Sequence, residues 1–287
     1  MRSVAFAAVV MSGLFSHLAA GADQACNLPP CRDVGLQLYS LRDKFPKDGV
    51  GPTLDLVKSW GVKYVELAGT YGLEPAKFNA ELTQRGLIPI SAHFPYNRLD
   101  KDIEAVAQEA KALGIQYVGC AWLAHKPPFD EAQCLKAAEV FNRAGEALSK
   151  HGLKFFYHNH GYEFRPHGDG TLFDLLAAKT DPRYVSFQLD VLWAFLPGQD
   201  PAKLLQKYPD RFVLVHLKDL KKGVPTNDHS AKTDKTNDVA LGSGQVDWHA
   251  FAQAVTKTAV KYYFIEDESP TAVEQIPQSL KFIREVR

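Results

Sequence analysis

Between Tyr157 and Phe164 the chain reads Tyr-His-Asn-His-Gly-Tyr-Glu-Phe, placing His158, Asn159, His160 and Glu163 within six positions. The run before it, Lys154 to Tyr157, is apolar and aromatic and follows Gly152, so it reads as a buried strand opening after a helix has closed. Residues two apart on a strand share a face, which directs His158 and His160 the same way, with Glu163 following on the loop. A solvated polar strand end explains one such residue more readily than this density. Three later stretches end in the same manner: Leu189-Asp190-Val191, His216-Leu217-Lys218-Asp219 and Ile265-Glu266-Asp267-Glu268. Singly, each acidic residue or histidine there reads as a salt bridge or a wet rim. Together, Glu163, Asp190, His216 and Glu266 make a hard, oxygen-dominated set. Such a set suits one divalent ion, manganese first, with magnesium, cobalt or zinc as alternatives, rather than a thiolate-rich structural zinc site.

Such convergence requires elements that bring distant residues to one place. Strand and helix patterns alternate eight times from Val34 onward. Strands are expected at 34–41, 64–68, 88–94, 117–123, 154–160, 185–191, 212–217 and 262–266. Helices are expected at 54–60, 75–85, 100–113, 130–151, 171–179, 201–208, 247–258 and 271–286. Gly61, Gly86, Gly114 and Gly152 stand just past helical periods, where a left-handed C-cap is needed. The strands are apolar on both faces, as a helix-covered parallel sheet requires. The pattern predicts an α/β fold, a single (β/α)8 barrel over residues 34–287. A doubly wound open sheet is the alternative, but Tyr39-Ser40-Leu41-Arg42 after the first strand is not a phosphate-binding glycine loop.

In a barrel the chemistry gathers at the C-terminal strand ends. These ends supply Gln37 and Tyr39, Glu66, His93, Trp122, the histidines and Glu163, Gln188 and Asp190 with Trp193 beyond, then His216, Lys218 and Asp219, then Glu266, Asp267 and Glu268. Tyr39, Glu66, His93 and Lys218 are read as substrate contacts, and Trp122 and Trp193 as flat walls for a sugar ring, core packing being the alternative for both. The polar stretch between Leu220 and Val246 is too long for an ordinary strand–helix loop. It is either an insertion without consequence or a lid over the catalytic face.

The chain has 287 residues, 23% of them charged, and zero formal net charge. That balance, without a basic stripe, argues against a nucleic-acid partner. Arg2 followed by an apolar run from Val4 to Ala20 and by Ala20-Gly21-Ala22 reads as a signal peptide over residues 1–22. An uncleaved anchor is the alternative. Residues 23–33 form a short extension, and the mature chain is expected to be exported, periplasmic or secreted, with no stable membrane insertion. In an oxidising compartment Cys26–Cys31 and Cys120–Cys134 are candidate disulfides, although Cys120 also suits a buried thiol.

The order Gly-Leu-Gln-Leu-Tyr-Ser-Leu-Arg (35–42), Tyr-His-Asn-His-Gly-Tyr-Glu-Phe (157–164), Leu-Asp-Val (189–191), His-Leu-Lys-Asp (216–219), Gly-Ser-Gly-Gln-Val-Asp-Trp (242–248) and Ile-Glu-Asp-Glu (265–268) resembles the sugar phosphate isomerase/epimerase family. This is the xylose isomerase-like barrel group that also contains endonuclease IV and the inosose dehydratases. The resemblance implies one divalent metal held by Glu, Asp, His and Glu from strands five to eight, and Asp190, His216 and Glu266 match. Many members place the strand-five glutamate directly before an asparagine, where this chain has His158. Either Glu163 supplies the ligand from the loop, the reading favoured here, or His158 takes its place. Relatives also often carry a glutamate between the glycines of 242–244, where Ser243 stands.

The implied chemistry is isomerisation or epimerisation of a keto-sugar through a metal-stabilised enediolate, with Glu163, Glu266, His158 and His160 as acid–base candidates. A keto-glycoside lyase or hydratase, or an inosose-type dehydratase, is the alternative on the same barrel. An exported sugar-binding protein without turnover is the alternative of another class. The partner expected is a small sugar, unphosphorylated if the chain is exported; oligomerisation is left open.

Overall fold

The computed structural model describes residues 34–286, so the proposed signal peptide and the Cys26–Cys31 pair lie outside the described residues. Eight parallel strands close into a barrel: β1 (Gly35–Gln37), β2 (Tyr64–Leu67), β3 (Ile88–His93), β4 (Tyr117–Cys120), β5 (Lys154–His158), β6 (Val185–Asp190), β7 (Phe212–Leu217) and β8 (Tyr262–Ile265). Every neighbouring pair is parallel, and β8 returns to β1 through Gly35 opposite Phe264. The expected barrel is therefore present, and helices such as Glu131–Lys150 and Ala272–Glu285 surround it. Gly114 and Gly152 take positive φ (71° and 76°) directly past the helices they end.

Alternation inside the barrel fixes what reaches its mouth. Ile90, Tyr117, Phe156, Leu214 and Phe264 fill an apolar layer of the interior. The next inward position along three of those strands is His158, His216 and Glu266 respectively, two residues further on. The apolar plug thus sits directly under the polar groups and excludes water from beneath them. Two register shifts help to aim this layer, one between Val65 and Glu66 and one between Phe187 and Gln188. The first strand is shorter than expected because residues 38–41 curl into a 3-10 turn, which Gln37 caps by accepting from the Tyr39 N–H.

The long segment after β7 is ordered. Asp219–Leu220 pairs antiparallel with Asp238–Val239, and the Asp228 N–H donates to Leu196 O at 3.2 Å. The Asp219 carboxylate accepts four bonds: from the N–H groups of Gly242, Gly244 and Val246 and from Trp248 Nε1, at 2.9, 3.1, 3.2 and 2.9 Å. This explains why the Gly-Ser-Gly turn accompanies His-Leu-Lys-Asp. A Cβ at Gly244 would overlap the Asp219 carboxylate and the Leu220 carbonyl. Gly244→Ala is therefore expected to cost about 1–3 kcal/mol, the usual range for forced overpacking, in urea-unfolding stability; an unchanged midpoint would contradict this account of the turn.

Candidate functional site

At the C-terminal mouth lies a cavity of about 450 Å³ whose walls include Tyr39, His93, Trp122, His158, His160, Trp193, Glu266 and Glu268. Eight of the residues singled out from the sequence therefore face one space. Trp122 is 48% exposed at the rim, its ring edge-on to His160 and Tyr162 at 5.0 and 5.3 Å. Trp193 is buried against Leu192 and Leu196 and also walls the cavity, so it packs and lines at once. Ala231 brings the long segment to the same wall.

Below the cavity is a dense polar network. Glu66 is fully buried and accepts from Gln37 Nε2 (2.6 Å), Ser91 Oγ (2.5 Å), Gln188 Nε2 (2.8 Å) and His216 Nε2. Burial opposes its ionisation, but the His93 and His216 imidazoles hold it down, to about 2. Glu66 was expected to contact substrate. Its zero exposure and full set of partners place it beneath the floor instead, where it orients other groups.

That orientation follows through the network. His216 Nε2 is engaged by Glu66, which turns Nδ1 toward Glu266 Oε2 at 3.1 Å and Asp190 Oδ2 at 3.7 Å. Burial pushes the His216 imidazole down, but Glu66 and Glu266 hold it charged, well above its ordinary range. Gln188 donates to Glu66, so its Oε1 is left to accept from His158 Nδ1 at 2.9 Å. His158 Nε2 then lies 3.8 Å from Asp190 Oδ2. Burial first, then the neighbouring His216 and His160, keep His158 well below its ordinary range, so its imidazole is neutral and Nε2 keeps a lone pair. One carboxylate and one amide thus fix the orientations of two imidazoles.

Asp190 supplies the unusual atom. Its Oδ1 accepts from the Trp193 N–H at 2.8 Å, while its Oδ2 is buried with no hydrogen-bond partner. The candidate ligand atoms of Asp190, His216 and Glu266 all lie within 4.8 Å of one another. A buried carboxylate oxygen without a donor, ringed by a second carboxylate and two imidazoles, fits a cation.

One further expectation needs correction. Glu163 was expected to join this set as ligand and acid–base group. It sits instead on the 3-10 turn Tyr162–Phe164, and its carboxylate accepts from the Tyr157 hydroxyl and from the His160 N–H at 3.0 Å. Tyr157 alternates with His158, so it faces the helix layer, its ring 4.9 Å from that of Phe141. Glu163 follows Tyr157 outward and takes no part in the cluster around Asp190. Lys218, expected to contact substrate, lines the adjoining cavity rather than this one. It is 1% exposed, with Nζ at 2.6 Å from Glu268, 3.2 Å from Glu266, 3.8 Å from Asp190 and 3.9 Å from Asp238. Burial disfavours its charge, but those carboxylates keep it charged.

His160 does stand beside His158, ring centroids 4.9 Å apart, and faces the cavity. Its Nδ1 is buried without a partner, and burial together with Lys218 pushes the imidazole down to about 3. Sequence reasoning passed over Ser91, hidden mid-strand, and Asp238, which the long segment carries in to face Lys218 with nothing local to mark it. The Cys120–Cys134 pairing is also corrected. Both thiols are free and buried, pointing to Trp122 O and Leu172 O, and burial pushes each up to about 12.

Comparison with known proteins places this geometry in a family. A Salmonella typhimurium inosose dehydratase is 28% identical over 186 residues, 56% of this chain and 60% of that protein. The chain thus spans about 60% of the length of that relative. A sugar phosphate isomerase/epimerase from Parabacteroides distasonis superposes with a TM-score of 0.73 at 24% identity, covering 88% of this chain and 93% of that one. A structure of the IolI protein with a bound zinc atom superposes with a TM-score of 0.68 at 14% identity, covering 88% of this chain and 96% of that one. The profile of the xylose isomerase-like TIM barrel family matches residues 54–286, and the chain belongs to that family.

Proposed function

We propose that this protein is a divalent-metal-dependent enzyme that removes a proton beside the carbonyl of a keto-sugar or keto-cyclitol. The observation that carries the reading is the partnerless Asp190 Oδ2 among His158, His216 and Glu266 at the foot of the sugar-sized cavity. His158 Nε2, Asp190 Oδ2, a Glu266 oxygen and His216 Nδ1, once the ion displaces its proton, would hold the ion. Two imidazoles with two carboxylates suit manganese, cobalt or zinc, with manganese kept first, and suit magnesium less. When bound, such an ion polarises the substrate carbonyl and acidifies the neighbouring C–H.

The chain's own groups do the rest. Glu266, held deprotonated against burial by Lys218 and His216, is the cavity-facing carboxylate that exchanges a proton with the substrate carbon. His160, a wall of the cavity, presents its ring to the substrate. Trp122 and Trp193 exclude water and present faces to the ring.

Returning the proton to another position gives isomerisation or epimerisation. Losing a hydroxyl from the next carbon gives dehydration, a second reading that the likeness to inosose dehydratases favours. Deuterium exchange tests the shared step. With Mn²⁺ and a panel of keto-sugars and inososes in D₂O, label should enter the carbon beside the carbonyl. Release of water and an unsaturated product separates dehydratase from epimerase. Tight sugar binding with no label entering would instead make this a binding protein.

Glu66→Gln removes the charge that fixes His216 while preserving shape. Metal affinity is expected to fall about 10–100-fold, the usual cost of losing an outer-shell partner, as read by metal titration. An unchanged affinity would mean that Glu66 does not orient His216. The proposal that residues 1–22 are removed on export is checked by N-terminal sequencing of the protein produced in a bacterial host; it predicts a start near Asp23.

A further inference from the structure

The mouth of the barrel holds a second cavity of about 380 Å³, lined by Leu192, Trp193, Thr233 and Lys235 among others. Three residues, Trp193, Ala231 and Glu268, line both cavities. The two spaces are adjoining lobes, and Trp193 is a wall of each. The first lobe alone, at about 450 Å³, is roomy for one sugar ring.

The second lobe differs in character. Leu192, Trp193 and Ala231 give it apolar walls, while Thr233, Lys235 and Glu268 supply hydroxyl, ammonium and carboxylate groups. An apolar face beside scattered hydrogen-bonding groups is what a pyranose ring requires, with its C–H face on an indole and its hydroxyls on polar side chains. A phosphate is held best by a cation free of other partners. The buried cation here, Lys218, already faces Glu266, Glu268, Asp190 and Asp238 within 3.9 Å. Lys232 and Lys235 are exposed at its edge.

We infer that the site takes a two-ring substrate, a keto-glycoside whose reacting ring fills the first lobe and whose second, uncharged ring fills the lobe between Trp193 and the 231–238 segment. The inference rests on the reading of the first lobe as the reacting site. It assigns the long segment a specificity role, because Ala231, Thr233, Lys235 and Asp238 all come from it.

Calorimetric binding in excess Mn²⁺ tests it, with glucose, trehalose, maltose, cellobiose, gentiobiose and glucose 6-phosphate as probes. At least one disaccharide should bind about tenfold tighter than glucose, the order expected for one more well-packed ring face. Thr233→Trp and Lys235→Trp, each placing a bulky ring in the second lobe, should remove that gain and leave glucose binding unchanged. Either variant suffices if the other fails to fold. If every disaccharide binds no tighter than glucose, or the gain survives both substitutions, the inference is overturned while the first lobe keeps its assignment. If only glucose 6-phosphate gains, the second lobe is an anion site and the inference is overturned. If no probe binds, the proposed reacting site fails and the inference fails with it.

Discussion

Asp190→Asn is expected to lower metal affinity by at least about 100-fold, beyond the range for outer-shell partners, and to take turnover with it. The two oxygens of this carboxylate have separate tasks. Oδ1 caps the short helix Val191–Phe195 by accepting from the Trp193 N–H, and asparagine keeps that bond. Oδ2 faces His158 Nε2, His216 Nδ1 and Lys218 Nζ at 3.8, 3.7 and 3.8 Å and accepts from none. An amide there presents N–H groups to a site built for a cation. Fold and metal binding therefore separate: elemental analysis should find the variant empty while its thermal midpoint stays within a few degrees, about what a kept cap implies. A variant that keeps its metal would move the centre away from Asp190.

The second large effect concerns Glu163, the buried carboxyl that stands apart from the cluster. Burial raises it from its ordinary 4.5 to about 7, against the lowering pull of the Tyr157 hydroxyl and the His160 amide. The fold therefore favours its uncharged form. Below pH 4.5 the carboxyl is neutral in both folded and unfolded chains and costs nothing. Between pH 4.5 and about 7 the unfolded chain releases the proton while the folded chain retains it, so stability falls as pH rises. Above that the loss is constant. Glutamine cannot ionise and still accepts from Tyr157. Relative to wild type, Glu163→Gln should gain about 3 kcal/mol between pH 4 and pH 8 in urea unfolding, at 1.36 kcal/mol per unit. A stability difference independent of pH would show that Glu163 is not held neutral by burial.

The barrel was legible because the two periods that specify it are local. Apolar strands mark all eight units, helix-ending glycines stand before four of them, and strand β7 falls at Phe212–Leu217, as expected. Asp190, His216 and Glu266 were legible for a related reason. Each lies at or just beyond a strand end, where direction follows from alternation. Glu163 was not, because a 3-10 turn separates it from β5 and composition does not say which way such a turn points. Parity carried the missing signal: Phe156 is inward, so His158 is inward and Tyr157 outward, and a carboxylate bonded to Tyr157 must leave the barrel axis. Lys218 and Asp238 show a different limit. Their contact joins a strand end to a segment twenty residues on, through Asp219 and its turn, and no period links them. The Cys120–Cys134 pairing failed because nearness in sequence says nothing of how two Cβ vectors point.

The most direct test of the central claim is metal stoichiometry by elemental analysis, on wild type, His158→Ala and Glu163→Gln after incubation with excess Mn²⁺. Wild type and Glu163→Gln are each expected to hold one ion per chain, and His158→Ala to have a depleted site. Loss of the ion from Glu163→Gln with retention in His158→Ala would return the strand-five ligand to the loop, and a wild type that stays empty would contradict the metal centre altogether.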